Sequence, residues 1–322
     1  MEGEGAWPGR GSRVLWGRVL GGVIDKTRLG ACPGRAEKPM RRWGRVPSGG
    51  GANGLRGACP DRGGANGLRG ACPGRSPAGG RGGPAGTGMG LPAALRDQVA
   101  AVHRGSALSE RLRLYDGWAA RYEQDVAALE YRAPHLAAAS LSFAFPAPRA
   151  EARLLDVACG TGLVARELHR RGFRCLHGVD GSAGMLEQAR STGLYQELRL
   201  CLLGTEPLPA PAEHYDAVTV VGALGEGQVS STVLPELLRV TKSGGFLCLT
   251  TRSNPSNLRY KAELEAAMGQ LERSGAWQKL LAQEVEYWER ATTEEESTQG
   301  TGYISGVVYI YQKCPVPHLE EG

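Results

Sequence analysis

From residue 91 onward, apolar positions change period several times, and each change marks an element. Leu91–Arg104 has a weak three-and-four spacing and predicts a helix. Ser109–Tyr131 predicts a second, capped by Ser109, with Leu114, Trp118, Tyr122, Val126 and Leu129 on one face. His135–Phe145 predicts an alanine-rich third, stopped by Pro146 and Pro148. Short apolar runs then alternate with helical spacing. The predicted strands are Arg153–Ala158, Phe173–Val179, Glu197–Leu203, Tyr215–Val221 and Gly245–Thr251. The helices between and after them are Leu163–Arg171, Ser182–Arg190, Thr232–Thr241 and Asn257–Arg273. Two alternating runs close the pattern, Val285–Arg290 and Gly306–Gln312, separated by the polar stretch Ala291–Gly302.

Short continuous strands between helices predict a parallel sheet covered on both faces and joined by right-handed crossovers. The last two runs predict an antiparallel hairpin at the sheet's edge. The expected fold class is therefore α/β, with seven strands in three layers. Ligands of such sheets sit at the carboxyl ends of the strands.

Composition divides the chain near residue 90. Residues 1–90 hold 27 of the 48 glycines, and 15 Lys/Arg against 5 Asp/Glu, a net +10. The whole chain is +5, so residues 91–322 carry −5. The basic character belongs to the first segment, which argues against a nucleic-acid footprint on the rest. Gly-Ala-Cys-Pro-Gly/Asp-Arg recurs at 30–35, 57–62 and 70–75, the last two inside a unit of 13-residue period. Glycine this dense with so few apolar side chains cannot offset the entropy of ordering. We expect residues 1–90 to be a disordered Gly/Arg-rich extension and 91–322 to be the folded domain. No apolar run reaches the roughly 18 residues of a membrane span. None of the eight cysteines forms a C-x-x-C pair, and Cys175, Cys201 and Cys248 lie in apolar runs. This usage suits a reducing compartment, cytoplasmic or also nuclear, and speaks against a structural zinc site.

The candidate chemistry begins at Leu154-Leu155-Asp156-Val157-Ala158-Cys159-Gly160-Thr161-Gly162. A buried strand ends near a carboxylate, and Gly-x-Gly opens the next helix. Glycines without a Cβ let a ligand approach the backbone. Asp180, 24 residues after Asp156 and at the end of the second strand, can accept from both hydroxyls of a ribose. A nucleotide-type cofactor fits either way. Gly160-x-Gly162-x-x-Ala165 also matches a dinucleotide fingerprint, so an NAD(P)-dependent oxidoreductase stays open here. Asp156 weighs against it. A pyrophosphate would meet negative charge there, whereas a ligand ending in an ammonium would be held.

These residues resemble the class I S-adenosylmethionine-dependent methyltransferases, over roughly residues 110–313. Leu154–Gly162 matches the first motif and Gly178-Val179-Asp180-Gly181-Ser182 the second. Tyr215-Asp216-Ala217-Val218 and Lys242-Ser243-Gly244-Gly245-Phe246-Leu247 match strands four and five. A narrower likeness, to one methyltransferase-like branch, rests on Tyr115-Asp116-x-Trp118-Ala119-x-x-Tyr122, Asp156–Val164, Gly222-Ala223-Leu224 with Gly227-Gln228-Val229, and Leu249-Thr250-Thr251-Arg252.

The resemblance implies a Rossmann-like methyltransferase fold with an N-terminal helical lid, S-adenosylmethionine as cofactor, and no metal. Asp156 and Gly160 would hold the methionine end, with Ala158 and Cys159 also at the cofactor. Gly162 would let the helix start against the ligand. Asp180 would bind the ribose, with Gly181, Ser182 and Met185 along the adenosine. Relatives place an Asp after strand three to meet the adenine; here Gly204-Thr205-Glu206 stands, and Thr205 or a backbone carbonyl would substitute. Gly222 follows strand four. Trp118 and Tyr122 would cover the sulfonium with aromatic faces.

Methyl transfer from an activated donor needs positioning and water exclusion more than a base. Glu226, beyond strand four, is the candidate catalytic carboxylate. No Asn/Asp-Pro-Pro-aromatic motif follows strand four, and Asn254-Pro255 lies after strand five. These features favour a small-molecule acceptor or a protein side chain, worked on by a monomer. A cofactor-binding partner subunit without turnover is the remaining alternative.

Overall fold

The computed structural model describes residues 90–104 and 107–315. The expected 1–90 extension lies outside the described residues, Gly90 excepted. Among the described residues four helices come first: α1 (Ala93–His103), α2 (Leu108–Trp118), α3 (Tyr122–Ala128) and α4 (Ala133–Ala144). Then come β1 (Arg153–Val157), α5 (Leu163–Arg170), β2 (Cys175–Asp180), α6 (Ala183–Ser191), β3 (Glu197–Leu200) and β4 (Tyr215–Leu224). The chain continues through α7 (Leu234–Val240), β5 (Thr241–Arg252), α8 (Leu258–Arg273), β6 (Trp277–Arg290) and β7 (Tyr303–Lys313).

The seven strands form one sheet in the order β3-β2-β1-β4-β5-β7-β6. β1 to β5 run parallel, and β7 is antiparallel to both β5 and β6. The predicted hairpin is present, and both strands outrun the alternating segments that announced them. The second member, β7, sits inside the sheet rather than at its edge. Among the described residues no helix is long and apolar enough to cross a membrane.

Each face has its own core. One buries Leu154, Leu168, Phe173, Cys248 and Trp288 beneath α4 and α5. In α4, Ala133, Ala137 and Ala138 are fully buried, and their small side chains let the helix lie close to the sheet. The other face buries Val157, Val218, Leu237, Leu264 and Tyr309 beneath α7 and α8. Burial at about 25 cal/mol per Å² of apolar surface makes these two layers the main stabilising term.

The single helix expected over Ser109–Tyr131 is two. The chain turns at Ala119–Arg121, and the Trp118 indole donates to Asp125 Oδ2 at 2.7 Å across the break. The expected cap at Ser109 falls one residue inside α2, whose N-cap is Ala107. Ser182 does cap α6, accepting from the Met185 amide at 3.1 Å. Its hydroxyl donates to Asp116 Oδ1 at 2.6 Å, and the Gly184 amide donates to the same oxygen at 2.9 Å. A side chain at Gly184 would come 3.0 Å from the Asp116 carbonyl, so the glycine permits the approach. A bidentate pair of Arg166 with Glu123, at 2.6 and 2.7 Å, ties α3 to α5. These contacts fix the first helices across the carboxyl ends of the strands.

Candidate functional site

β1 delivers the chain into a turn of uncommon backbone. Ala158, Gly160 and Gly162 all have positive φ, at 55°, 54° and 94°. Glycine takes that conformation freely; alanine takes it at a cost, and such residues collect where a fold commits its backbone to a ligand. Gly162 is the residue before α5, and a side chain there would meet the Tyr195 ring at 3.2 Å. At Gly160 a Cβ would meet nothing within 4 Å. The space beyond it is a cleft of about 1140 Å³, open to solvent.

Asp180, at the tip of β2, reaches the same cleft. Its Oδ2 accepts from the Gly160 amide at 2.8 Å and its Oδ1 from the Ser182 amide at 2.9 Å. Burial pushes its pKa above the usual carboxylate range, and the amide donors pull it back. Met185, Leu202 and Leu203 give the cleft an apolar side, and Thr205 closes that end. The Thr205 hydroxyl donates to the Leu202 carbonyl at 2.7 Å and shapes the turn. Tyr115, Tyr122, Val221, Gly222 and Gln228 form the opposite end.

Of the residues expected at a cofactor, the cleft brings together Tyr122, Ala158, Gly160, Asp180, Gly181, Met185, Thr205 and Gly222. It leaves out Trp118, Asp156, Cys159, Gly162 and Ser182, and also Glu226, the candidate catalytic carboxylate. Cys159 packs in a small cluster with Leu186 and Ala189, and burial raises its thiol pKa. Ser182 is spent on capping. Glu226 is exposed, on the loop after β4, and only its amide is engaged, by Asn257 Oδ1 at 2.8 Å.

Asp156 is the largest departure. It is 2% exposed and does not line the cleft. Tyr195 donates to its Oδ2 at 2.7 Å and Thr219 to its Oδ1 at 2.8 Å. Burial raises its pKa to about 6, against the two hydroxyl donors, which lower it. The carboxylate is committed to tying β1, β4 and the loop before β3 together beneath the glycine turn. Nothing in the sequence marked Tyr195 as its partner.

A second, narrower chamber opens behind the cleft. Tyr115, Tyr122, Gly222 and Gln228 belong to both. Trp118, Tyr131 and Trp288 add aromatic surface, and Arg252 and Glu289 add charge. Gly222 has φ 77°, and a Cβ there would come 2.2 Å from the Tyr131 hydroxyl. Neither Arg252 nor Glu289 was foreseen. A break in register between Val285 and Glu289 carries β6 off strict alternation there, so Trp288 is buried and Tyr287 exposed.

Sequence comparison bears on this architecture. The profile of the methyltransferase domain family matches residues 154–245, which spans β1 to the start of β5. Human methyltransferase-like protein 27, the Williams–Beuren region protein, is 56% identical over 192 residues, covering 60% of this chain and 78% of that protein. The chain belongs to the S-adenosylmethionine-dependent methyltransferases.

This methyltransferase also matches the ubiquinone/menaquinone biosynthesis C-methyltransferase UbiE of Desulfotalea psychrophila, at 34% identity over 110 residues. That match covers 34% of this chain and 45% of the relative. Among solved structures, a TehB-like methyltransferase of Corynebacterium glutamicum aligns with TM-score 0.43 and 16% identity, over 62% of this chain and 97% of the other. The narrower likeness carried by Tyr115–Tyr122 and Leu249–Arg252 is to the human protein. The nicotinamide reading gains no support from these matches.

Proposed function

We propose that the cleft binds S-adenosylmethionine and that the enzyme passes its methyl group in line to a small molecule. The reading assigns the ribose hydroxyls to Asp180 and the adenine to the apolar side made by Met185 and Leu202, with Thr205 at its rim. It lays the methionyl part over Ala158–Gly160, under the Tyr122 ring. One observation carries it: the open space above Gly160 and the Asp180 carboxylate face a single cleft. The cofactor supplies a methyl already activated on a sulfonium, so the protein's part is to orient and to exclude water. Asp116, bonded to Ser182 and Gly184, holds α2 over the cleft, and Arg111 donates to the Gly227 carbonyl from the same helix. Tyr115 and Tyr122 close the far end with flat, weakly hydrated surface. Asp156 has the supporting task of holding the turn from below.

The naming of the bacterial relatives for quinone biosynthesis supports a small-molecule acceptor over a protein side chain. We take the enzyme to be a monomer; a reducing compartment, cytoplasmic or also nuclear, agrees with the free cysteines among the described residues. Calorimetric titration with S-adenosylmethionine tests the cofactor assignment. Wild-type protein should bind, and Asp180→Asn should bind about tenfold to a hundredfold more weakly, the worth of one or two hydrogen bonds to a charged group. Gly160→Val, which fills the open space, should abolish the heat. Unchanged affinity in both variants would refute the reading.

A further inference from the structure

The chamber behind the cleft holds two opposite charges without partners of their own. Among the described residues the Glu289 side chain has no hydrogen bond or ion pair; the largest influence on it is burial, and Arg252 acts on it only through space. Arg252 has no carboxylate within ion-pair reach among the described residues. Its guanidinium nitrogens lie instead at 2.9 and 3.4 Å from the ring nitrogens of His103. That ring is neutral, because burial and the Arg252 charge bring its pKa down to about 3. His103 therefore accepts from Arg252 without neutralising it.

Both side chains are half-buried, and a charge drawn even partly out of water costs free energy unless it is matched. Here each faces a shared space whose other walls are the rings of Tyr115, Trp118, Tyr122, Tyr131 and Trp288. Aromatic faces stabilise a cation held near a carboxylate and also pack well against flat apolar groups. Neither charge lines the cofactor cleft, yet the chamber meets the cleft at Gly222, Tyr115, Tyr122 and Gln228. An outer space reaches Arg252 and Glu289 from the other side, past Asn254 and Thr293, and gives a path of entry. Asn254 is 3% exposed, and its Oδ1 has no partner.

We propose that this chamber is the methyl-acceptor site and takes a compact zwitterion on a flat apolar frame. Glu289 holds its ammonium and Arg252 its carboxylate. The inference rests on the cofactor assignment above. A ligand with a single charge would leave one of the two residues unmatched.

The test uses the full chain saturated with S-adenosylhomocysteine, whose own binding is measured first. Phenylalanine, phenethylamine and 3-phenylpropionate are then titrated as probes that share a ring and differ in charge. Phenylalanine should bind at least about tenfold more tightly than either of the others. In Glu289→Gln the advantage over 3-phenylpropionate should vanish, and in Arg252→Gln the advantage over phenethylamine. Both variants should keep the wild-type affinity for S-adenosylhomocysteine. Equal binding of the three probes, binding of none, or preferences untouched by both substitutions would overturn the proposal. So would a loss of S-adenosylhomocysteine affinity in Glu289→Gln, which would move that carboxylate to the cofactor. If wild-type protein fails to bind S-adenosylhomocysteine, the cofactor assignment itself falls.

Discussion

Asp156→Asn separates a structural carboxylate from a ligand-binding one. The native side chain is buried, accepts from Tyr195 and Thr219, and has its pKa raised from 3.8 to about 6. A raised acid keeps its proton in the folded state to higher pH than in the unfolded chain. Between those two values the folded state binds more protons, so stability falls as pH rises through that window. Each unit is worth about 1.36 kcal/mol. The full penalty, above the folded pKa, is therefore about 3 kcal/mol, and near pH 4.5 it is only about 1 kcal/mol.

The asparagine keeps the shape and loses the titration. Its oxygen can accept from one hydroxyl while its amide donates to the other. Urea unfolding of both proteins near pH 4.5 and pH 7.5 isolates the group. The wild type should lose about 2 kcal/mol more than the variant between the two conditions. Parallel pH dependence in the two proteins would refute the buried, hydroxyl-bound carboxylate.

Gly306→Ala should cost about 1–3 kcal/mol by overpacking, because the new Cβ would stand 2.3 Å from the Trp288 ring; denaturant unfolding reads the loss, and a neutral result would mean that Trp288 is free to move. Leu264→Ala, at a fully buried site in the core beneath α8, should cost about 2–5 kcal/mol by the same assay. Glu226→Gln should leave methyl transfer within about twofold, since that side chain is exposed and outside the cleft; a loss of tenfold or more in a methyl-transfer assay would return it to the catalytic machinery.

The alternation of strands and helices was readable because apolar periodicity reports burial, and this fold buries both faces of its sheet. The placement of Asp180 at a strand tip and of Gly160 in a glycine turn was readable for another reason. A strand tip and a glycine turn carry local signals that do not depend on distant partners. What escaped prediction came from tertiary contact. The break between α2 and α3 is held by the Trp118 indole on Asp125, and periodicity ran unbroken across it. Asp156 looked free because Tyr195 lies 39 residues away, in a loop without pattern. Glu289 carried no mark in the sequence, and its place is set by the shift in pairing with β7 between Val285 and Glu289. Length was lost in the strands as well. β6 begins at Trp277, where its polar residues hid the alternation.

The central placement of β7 bears on how the enzyme is born. β6 joins the sheet only through β7, and β6 carries Glu289. During translation β6 must therefore wait, unpaired, until Tyr303–Lys313 has left the ribosome. The lining of the proposed cofactor cleft comes from residues 108–232, while β7 adds Val307, Val308, Tyr309, Ile310 and Tyr311 to the two cores that support it. A ribosome stalled short of residue 303 would thus hold every residue that lines the cleft, yet lack the strand that seats Glu289 and joins both cores.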